Sequence, residues 1–366
     1  WPTASIGLRC GREKPKSAVV TCGSRGSVVP PIAPAPSGEV ASVEELARID
    51  AIAESGIKEH AYPGCQVVVA RKGKVVFQKS YGHHTYKQQR QVKNSHIYDL
   101  ASITKVAAST LSLMQLTDDG LFSLDNSLCD YLPELVNGTP YASMNLRDML
   151  SHQAGLVPWI PFYTKTLVKG QPKYDVYSMA QSDLYPHRVS ENLYIHKDYP
   201  DSLIQQILAK PLREDRSYKY SDIGYYFVQR IVEKQSGMSL EEYAESKFYE
   251  PMGLRTVGYK PREHHELSTI VPTEYDMAFR KHLVHGDVHD PGAAMMGGVG
   301  GHAGLFSNAT DLAALMHMIM SWGEYGGKDY LNEATVKDFI RCQFCDANGN
   351  GNRRGAGFDK PVRNYV

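Results

Sequence analysis

The sequence predicts a chain of mixed α and β elements, in the α/β (α+β) class, and three observations predict it. Gly64–Ala70 and Val75–Gln78 are β-branched runs on either side of Lys72-Gly73-Lys74, which is the pattern of an antiparallel hairpin. Apolar residues recur at helical spacing before and well after it. They are Leu46, Ile49, Ile52, Ala53 and Ile57 within 43–60, and Leu312, Leu315, Met316 and Ile319 within 308–322. A third helical run, Ala101, Val106, Ala107, Ala108, Leu111 and Met114, is uncharged apart from Lys105 and is expected to be buried.

Taken in order, residues 1–41 are rich in Pro, Gly, Ser and basic residues and read as a linker or tail, extended at Pro30–Pro36. Residues 42–366 form the folded part. Ser42, with Glu45 three residues on, caps the 43–60 helix. Tyr81–His96 is a polar loop, and Leu128, Tyr131, Leu132 and Pro133 mark a short packed segment. Asn145 caps a short helix that Gly155 stops. Residues 156–200, with Trp159 and many prolines and tyrosines, show no clean period. They are expected to form an irregular insertion, either an aromatic lid on a cleft or a packed surface loop.

Ser202–Ala209 is helical. Tyr218–Asp222 is a polar turn opening a helix with Phe227, Val228, Ile231 and Val232, closed by Gly237. Ser239 and Glu242 form a capping box for the next helix, ended by Pro251. Residues 283–307 are strongly turn-forming.

Composition removes several classes of function. The chain has 366 residues with 40 Lys+Arg against 40 Asp+Glu, which makes no case for nucleic acid or an anionic membrane. No apolar run is long enough for a membrane span. Residue 1 is Trp and the opening stretch has no apolar h-region, so the chain itself does not name its compartment. Six cysteines in this length are no disulfide scaffold, and Cys342-x-x-Cys345 reads as two loop cysteines. His282, His285 and His289 have spacings that suit a metal on a helix, but Gly286, Pro291 and Gly292 place them on a loop, at a cleft rim.

Two positions carry chemistry. Ser102 and Lys105, three residues apart on a helix, share a face, which sets a hydroxyl beside an amine. Burial and the helix N-terminus are expected to push Lys105 towards its neutral form, able to take the Ser102 proton. Tyr220, on the turn before a helix, can present a phenol that a nearby ammonium makes easier to ionise, a general base and then acid.

In this order the two motifs resemble those of the penicillin-recognising serine hydrolases, most closely their class C β-lactamase-like branch of esterases and D-Ala-D-Ala peptidases. Tyr62-Pro63-Gly64 adds to the resemblance. So do Leu150–Leu156, similar to Leu-Leu-x-His-x-Ser-Gly-Leu, and Gly301–Ser307 with Asp311-Leu312-Ala313. The resemblance implies an antiparallel sheet flanked by helices beside an all-helical half, with the cleft between. It implies Ser102 as the acylated nucleophile, Lys105 as its proton partner and Tyr220 as base, with the Ser102 N–H in an oxyanion hole.

Asp222 stands where many members have Asn and esterase-like relatives often have Asp, which sets the chain apart from true β-lactamases. Asp222, His302, Gly304 and Trp159 are the expected substrate-binding residues. The family's third element is a Lys- or His-Thr/Ser-Gly. His302-Ala303-Gly304 matches it superficially, but in the context of a different segment, so the chain is read as C-terminally incomplete.

The expected activity is hydrolysis through an acyl-enzyme of an ester, a D-amino-acid peptide or a β-lactam. The substrate would be a small molecule or cell-wall peptide, in the periplasm or outside the cell, with no metal or cofactor. The alternative is a non-catalytic accessory or cell-wall-binding module of a larger polypeptide such as a β-N-acetylglucosaminidase fusion.

Overall fold

The hairpin is built as its residues dictate. In the computed structural model, which describes residues 43–345 and 351–360, Gly64–Arg71 pairs antiparallel with Lys74–Gly82. Lys72 and Gly73 both take positive φ, 50° and 72°, as a two-residue turn matched to strand twist requires. The helix Val43–Lys58 packs against the second strand and the helix Ala309–Met320 against the first. In the first helix Ala53 is buried and Leu46, Ile49 and Ile57 are half-buried. Ile52, expected on the same face, instead points to solvent. The Ser42–Glu45 capping box and the 1–41 linker lie outside the described residues.

The helical half is organised around one buried element. A 3-10 turn, Ala101–Ile103, leads into a π-helical segment, Lys105–Thr110, and then the α-helix Leu111–Asp118. Ala107, Ala108, Leu111, Leu113, Met114 and Leu116 are completely buried. Against them pack Ile223–Ser236, Leu240–Ala244 with its π continuation Glu245–Tyr249, and Glu333–Ile340. The wider π turn leaves carbonyls for side chains to bond. Thr110 Oγ1 donates to Lys105 O (2.6 Å) and Tyr249 OH to Ala107 O (2.8 Å).

Ser239 and Glu242 form the expected capping box, Asn145 caps Leu146–Leu150, and Gly237 closes the long helix at φ 71°. The insertion is more regular than expected. It holds a small hairpin, Leu167–Val168 with Gln171–Pro172, and a three-stranded sheet with Leu193–Ile195 between Tyr177–Ser178 and His187–Ser190. Phe279 stacks on Tyr163 and leans on Tyr177, joining the insertion to residues 274–284. Cys342 and Cys345, read from the sequence as separate loop thiols, form a disulfide with Cα atoms 5.8 Å apart. Among the described residues no helix is long and apolar enough to cross a membrane.

Candidate active site

The chain reaches the nucleophile position along Tyr98–Asp99, which pairs antiparallel with Phe306–Ser307. Ala101 then adopts φ +45° and the backbone turns sharply into the 3-10 turn. This exposes Ser102 while Lys105, one turn later, is 3% exposed. Lys105 Nζ donates to Ser102 Oγ (2.8 Å) and His302 O (3.0 Å), and lies 2.7 Å from Asp222 Oδ1. Two of these neighbours accept hydrogen bonds from Lys105, and the third, Asp222, meets it as an opposite charge.

Burial alone would draw the Lys105 pKa down. The Asp222 carboxylate and then Tyr220 more than offset it, so Lys105 sits above the ordinary lysine value. The neutral amine expected from burial is therefore corrected: the partner that keeps Lys105 charged is Asp222.

Tyr220 is half-buried, its ring centroid 5.2 Å from Lys105 Nζ. The segment after the Leu146–Leu150 helix clasps its turn. Lys219 N–H donates to His152 O (2.8 Å) and Ser221 N–H to His152 Nδ1 (3.2 Å). Ser221 OH donates to Val157 O (2.7 Å) and Asp222 N–H to Pro158 O (3.0 Å). Trp159, 48% exposed, follows Pro158 of this clasp in the chain.

Accepting at Nδ1 leaves the His152 proton on Nε2. Burial first, then the charges of Arg354 and Lys105, hold this imidazole well below the usual histidine range, so it is neutral. Its ring lies 4.5 Å from that of Tyr220, and the Arg354 guanidinium lies 5.8 Å from the Tyr220 ring. Sequence reasoning named neither as a site residue. His152 had a signal in the Leu150–Leu156 motif; Arg354, brought in from the far end of the chain, had none.

His302 does not line the cleft with its side chain, as the superficial third motif suggested. Its imidazole is 2% exposed, stacks on Tyr226 and donates from Nε2 to Asp290 Oδ1 at 2.7 Å. Burial alone would raise the Asp290 pKa, but the His302 charge and hydrogen bond outweigh it and hold the carboxyl well below the usual range. What His302 gives the site is its carbonyl, to Lys105. Gly304 is also buried, at φ +120°, where a Cβ would strike Gly298 O and the Tyr259 ring. Its position therefore packs backbone against the Gly298 carbonyl and the Tyr259 ring and is closed to solvent.

The three expected rim histidines are spread apart in their bonding. His282 Nδ1 meets Leu283 O, His285 Nε2 meets Ile270 O, and His289 Nδ1 lies 2.9 Å from Glu274 Oε1. Among the described residues no group of three or more His, Cys, Asp or Glu side chains is arranged to hold a metal ion.

Known proteins resemble this chain over most of its length. A family model described as Beta-lactamase matches residues 49–359. A putative D-alanyl-D-alanine carboxypeptidase of Escherichia coli (strain K12) is 30% identical over 336 residues, covering 84% of this chain and 71% of that protein. An N-acetylmuramyl-L-alanine amidase of Bacillus subtilis (strain 168) is 28% identical over 326 residues, covering 81% and 68%. Among solved structures, the penicillin-binding protein homologue from Pyrococcus abyssi superposes with a TM-score of 0.61 at 21% identity, over 87% of this chain and 64% of that one. At that identity the likeness is one of fold.

Proposed function

The chain belongs to the beta-lactamase family of serine hydrolases, and from that premise we propose that Ser102 is acylated, with Tyr220 as the base and Lys105 as a fixed ammonium beside it. The observation that carries the reading is the direction of the Lys105–Ser102 bond. Lys105 Nζ donates to Ser102 Oγ and His302 O beside the Asp222 carboxylate, and as an ammonium it has no lone pair for the Ser102 proton, which must go to another group. Tyr220 is the titratable neighbour on the same cation. Tyr220 Oη is the proposed acceptor of the Ser102 proton as Oγ attacks the acyl carbon, and it returns that proton to the leaving group. It then deprotonates the water that attacks the ester carbon, and Ser102 Oγ leaves with a proton. The Ser102 N–H, at the head of the 3-10 turn, donates to the oxyanion.

The acyl donor we propose is a D-amino-acid peptide or ester of cell-wall type, met in the periplasm or outside the cell. Two relatives named for cell-wall peptide chemistry support it. Asp222, a carboxylate 2.7 Å from Lys105 Nζ, has no N–H to give an amide carbonyl, which favours an ester donor. The exposed Trp159 is the proposed apolar wall for the acyl group.

The test is labelling with a fluorophosphonate and a fluorescent penicillin. Wild-type protein labels at Ser102 and Ser102→Ala does not. A folded wild type that resists both probes would leave a non-catalytic accessory module as the better reading.

A further inference from the structure

We propose that Asp99 is a positioning residue for the nucleophile. Its carboxylate holds Ala101 in the left-handed conformation and ties the Ser102 turn to the segment that anchors Lys105. Ala101 takes φ +45°, a region that residues with a Cβ rarely visit. Asp99 Oδ1 accepts the Ala101 N–H at 2.7 Å, closing a turn over Leu100 on the N-terminal side of the strained residue, and Oδ2 accepts the His289 N–H, also at 2.7 Å.

The next residue, Asp290, holds the His302 imidazole, and the His302 carbonyl holds Lys105 Nζ. The nucleophile turn and the amine are thus both referenced to residues 289–302. A second tie runs beside the first, from Leu100 N–H to Leu305 O and from Leu305 N–H to Thr104 Oγ1. Without the Asp99 bonds, Ala101 would relax towards negative φ and Ser102 Oγ would swing away from Lys105.

The role rests on the acyl-enzyme reading above, and the experiment separates the two. Asp99→Asn keeps one acceptor and turns an N–H₂ towards a backbone N–H. Ala101→Gly removes the strain the tie must oppose. Acylation by a fluorophosphonate is timed, and thermal unfolding followed, for wild type, each single variant and the pair. Asp99→Asn is expected to acylate roughly 5- to 30-fold more slowly, the factor that left-handed strain at one residue amounts to. Ala101→Gly is expected to stay near wild type. In the double variant the glycine is expected to recover most of the lost rate and part of the lost melting temperature.

A double variant as slow as Asp99→Asn, or an Asp99→Asn that acylates at the wild-type rate, overturns the proposal. If wild type itself does not label, the functional reading fails. The unfolding data then decide this proposal alone, since strictly additive changes in melting temperature would refute the coupling. Should Asp99→Asn not fold, Ala101→Gly still decides it: a large fall in its melting temperature would show that no strain was there to relieve.

Discussion

Replacing Asp222 by Asn keeps the shape of the site and removes one charge. In the protein Lys105 Nζ lies 2.7 Å from Asp222 Oδ1, with the lysine side chain 4% exposed. Unit charges at that separation attract by roughly 6 kcal/mol at an effective dielectric of about 20, before desolvation is counted. Removing one partner of a buried pair costs about 3–5 kcal/mol. Asparagine keeps an oxygen for Lys105, which places the loss at the lower end, about 3 kcal/mol near neutral pH, or roughly 4–5 °C in Tm for a folded part of this length.

The pH dependence is sharper than the size. In wild type the folded Lys105 value is raised, so its stabilisation is complete below the unfolded lysine pKa of about 10.4 and is lost as pH rises through the folded value. In Asp222→Asn the larger offset is gone, and burial, the largest influence on Lys105, outweighs Tyr220 and takes the folded value below the unfolded one. The variant then gains stability as pH rises, because the unfolded chain binds the proton more tightly. Calorimetry near neutral pH and at about pH 9.5 should therefore show the gap in Tm narrowing. Equal melting temperatures at neutral pH, or a gap that widens with pH, would refute the ion pair as the group that keeps Lys105 charged.

Other outcomes follow from the same contacts. Tyr220→Phe keeps the ring beside Lys105 and His152 but removes the phenol. Its kcat on a p-nitrophenyl ester is expected to fall about 100- to 10,000-fold with KM little changed, and a loss under about tenfold would remove Tyr220 as the base. His152, held neutral, makes the native protein refuse a proton that the unfolded chain accepts below about pH 6.5. This costs up to about 1.4 kcal/mol per pH unit as pH falls. His152→Asn should therefore show a shallower fall in Tm between about pH 6.5 and 5; parallel curves would contradict the buried neutral imidazole.

Long periodic segments were legible from residues alone. The hairpin at Gly64–Gly82 and the helices at Val43–Lys58, Ile223–Ser236 and Ala309–Met320 appear where their spacing predicts. The strands of the insertion were not, because elements of two to four residues are too short for alternation to register. Ile52 failed for a related reason: a stripe read one residue too wide includes a position that faces water. The Ala101 turn had no local signal, since alanine has no preference for positive φ and the bonds that hold it come from Asp99 and His289. His302 matched a motif by residue type, but which way its ring points was set by Asp290 and Tyr226.

By itself the sequence determined the covalent spacing: a hydroxyl and an amine one helical turn apart, a tyrosine opening a later helix, and apolar stripes that bury what lies between. Spacing within a helix is a property of backbone geometry and needs no other segment. Which group is charged and which gives up a proton was decided only by the tertiary structure. Ionisation answers to whatever stands within a few ångströms, and Lys105 is ringed by Asp222, His302 O and Ser102 from three separate parts of the chain.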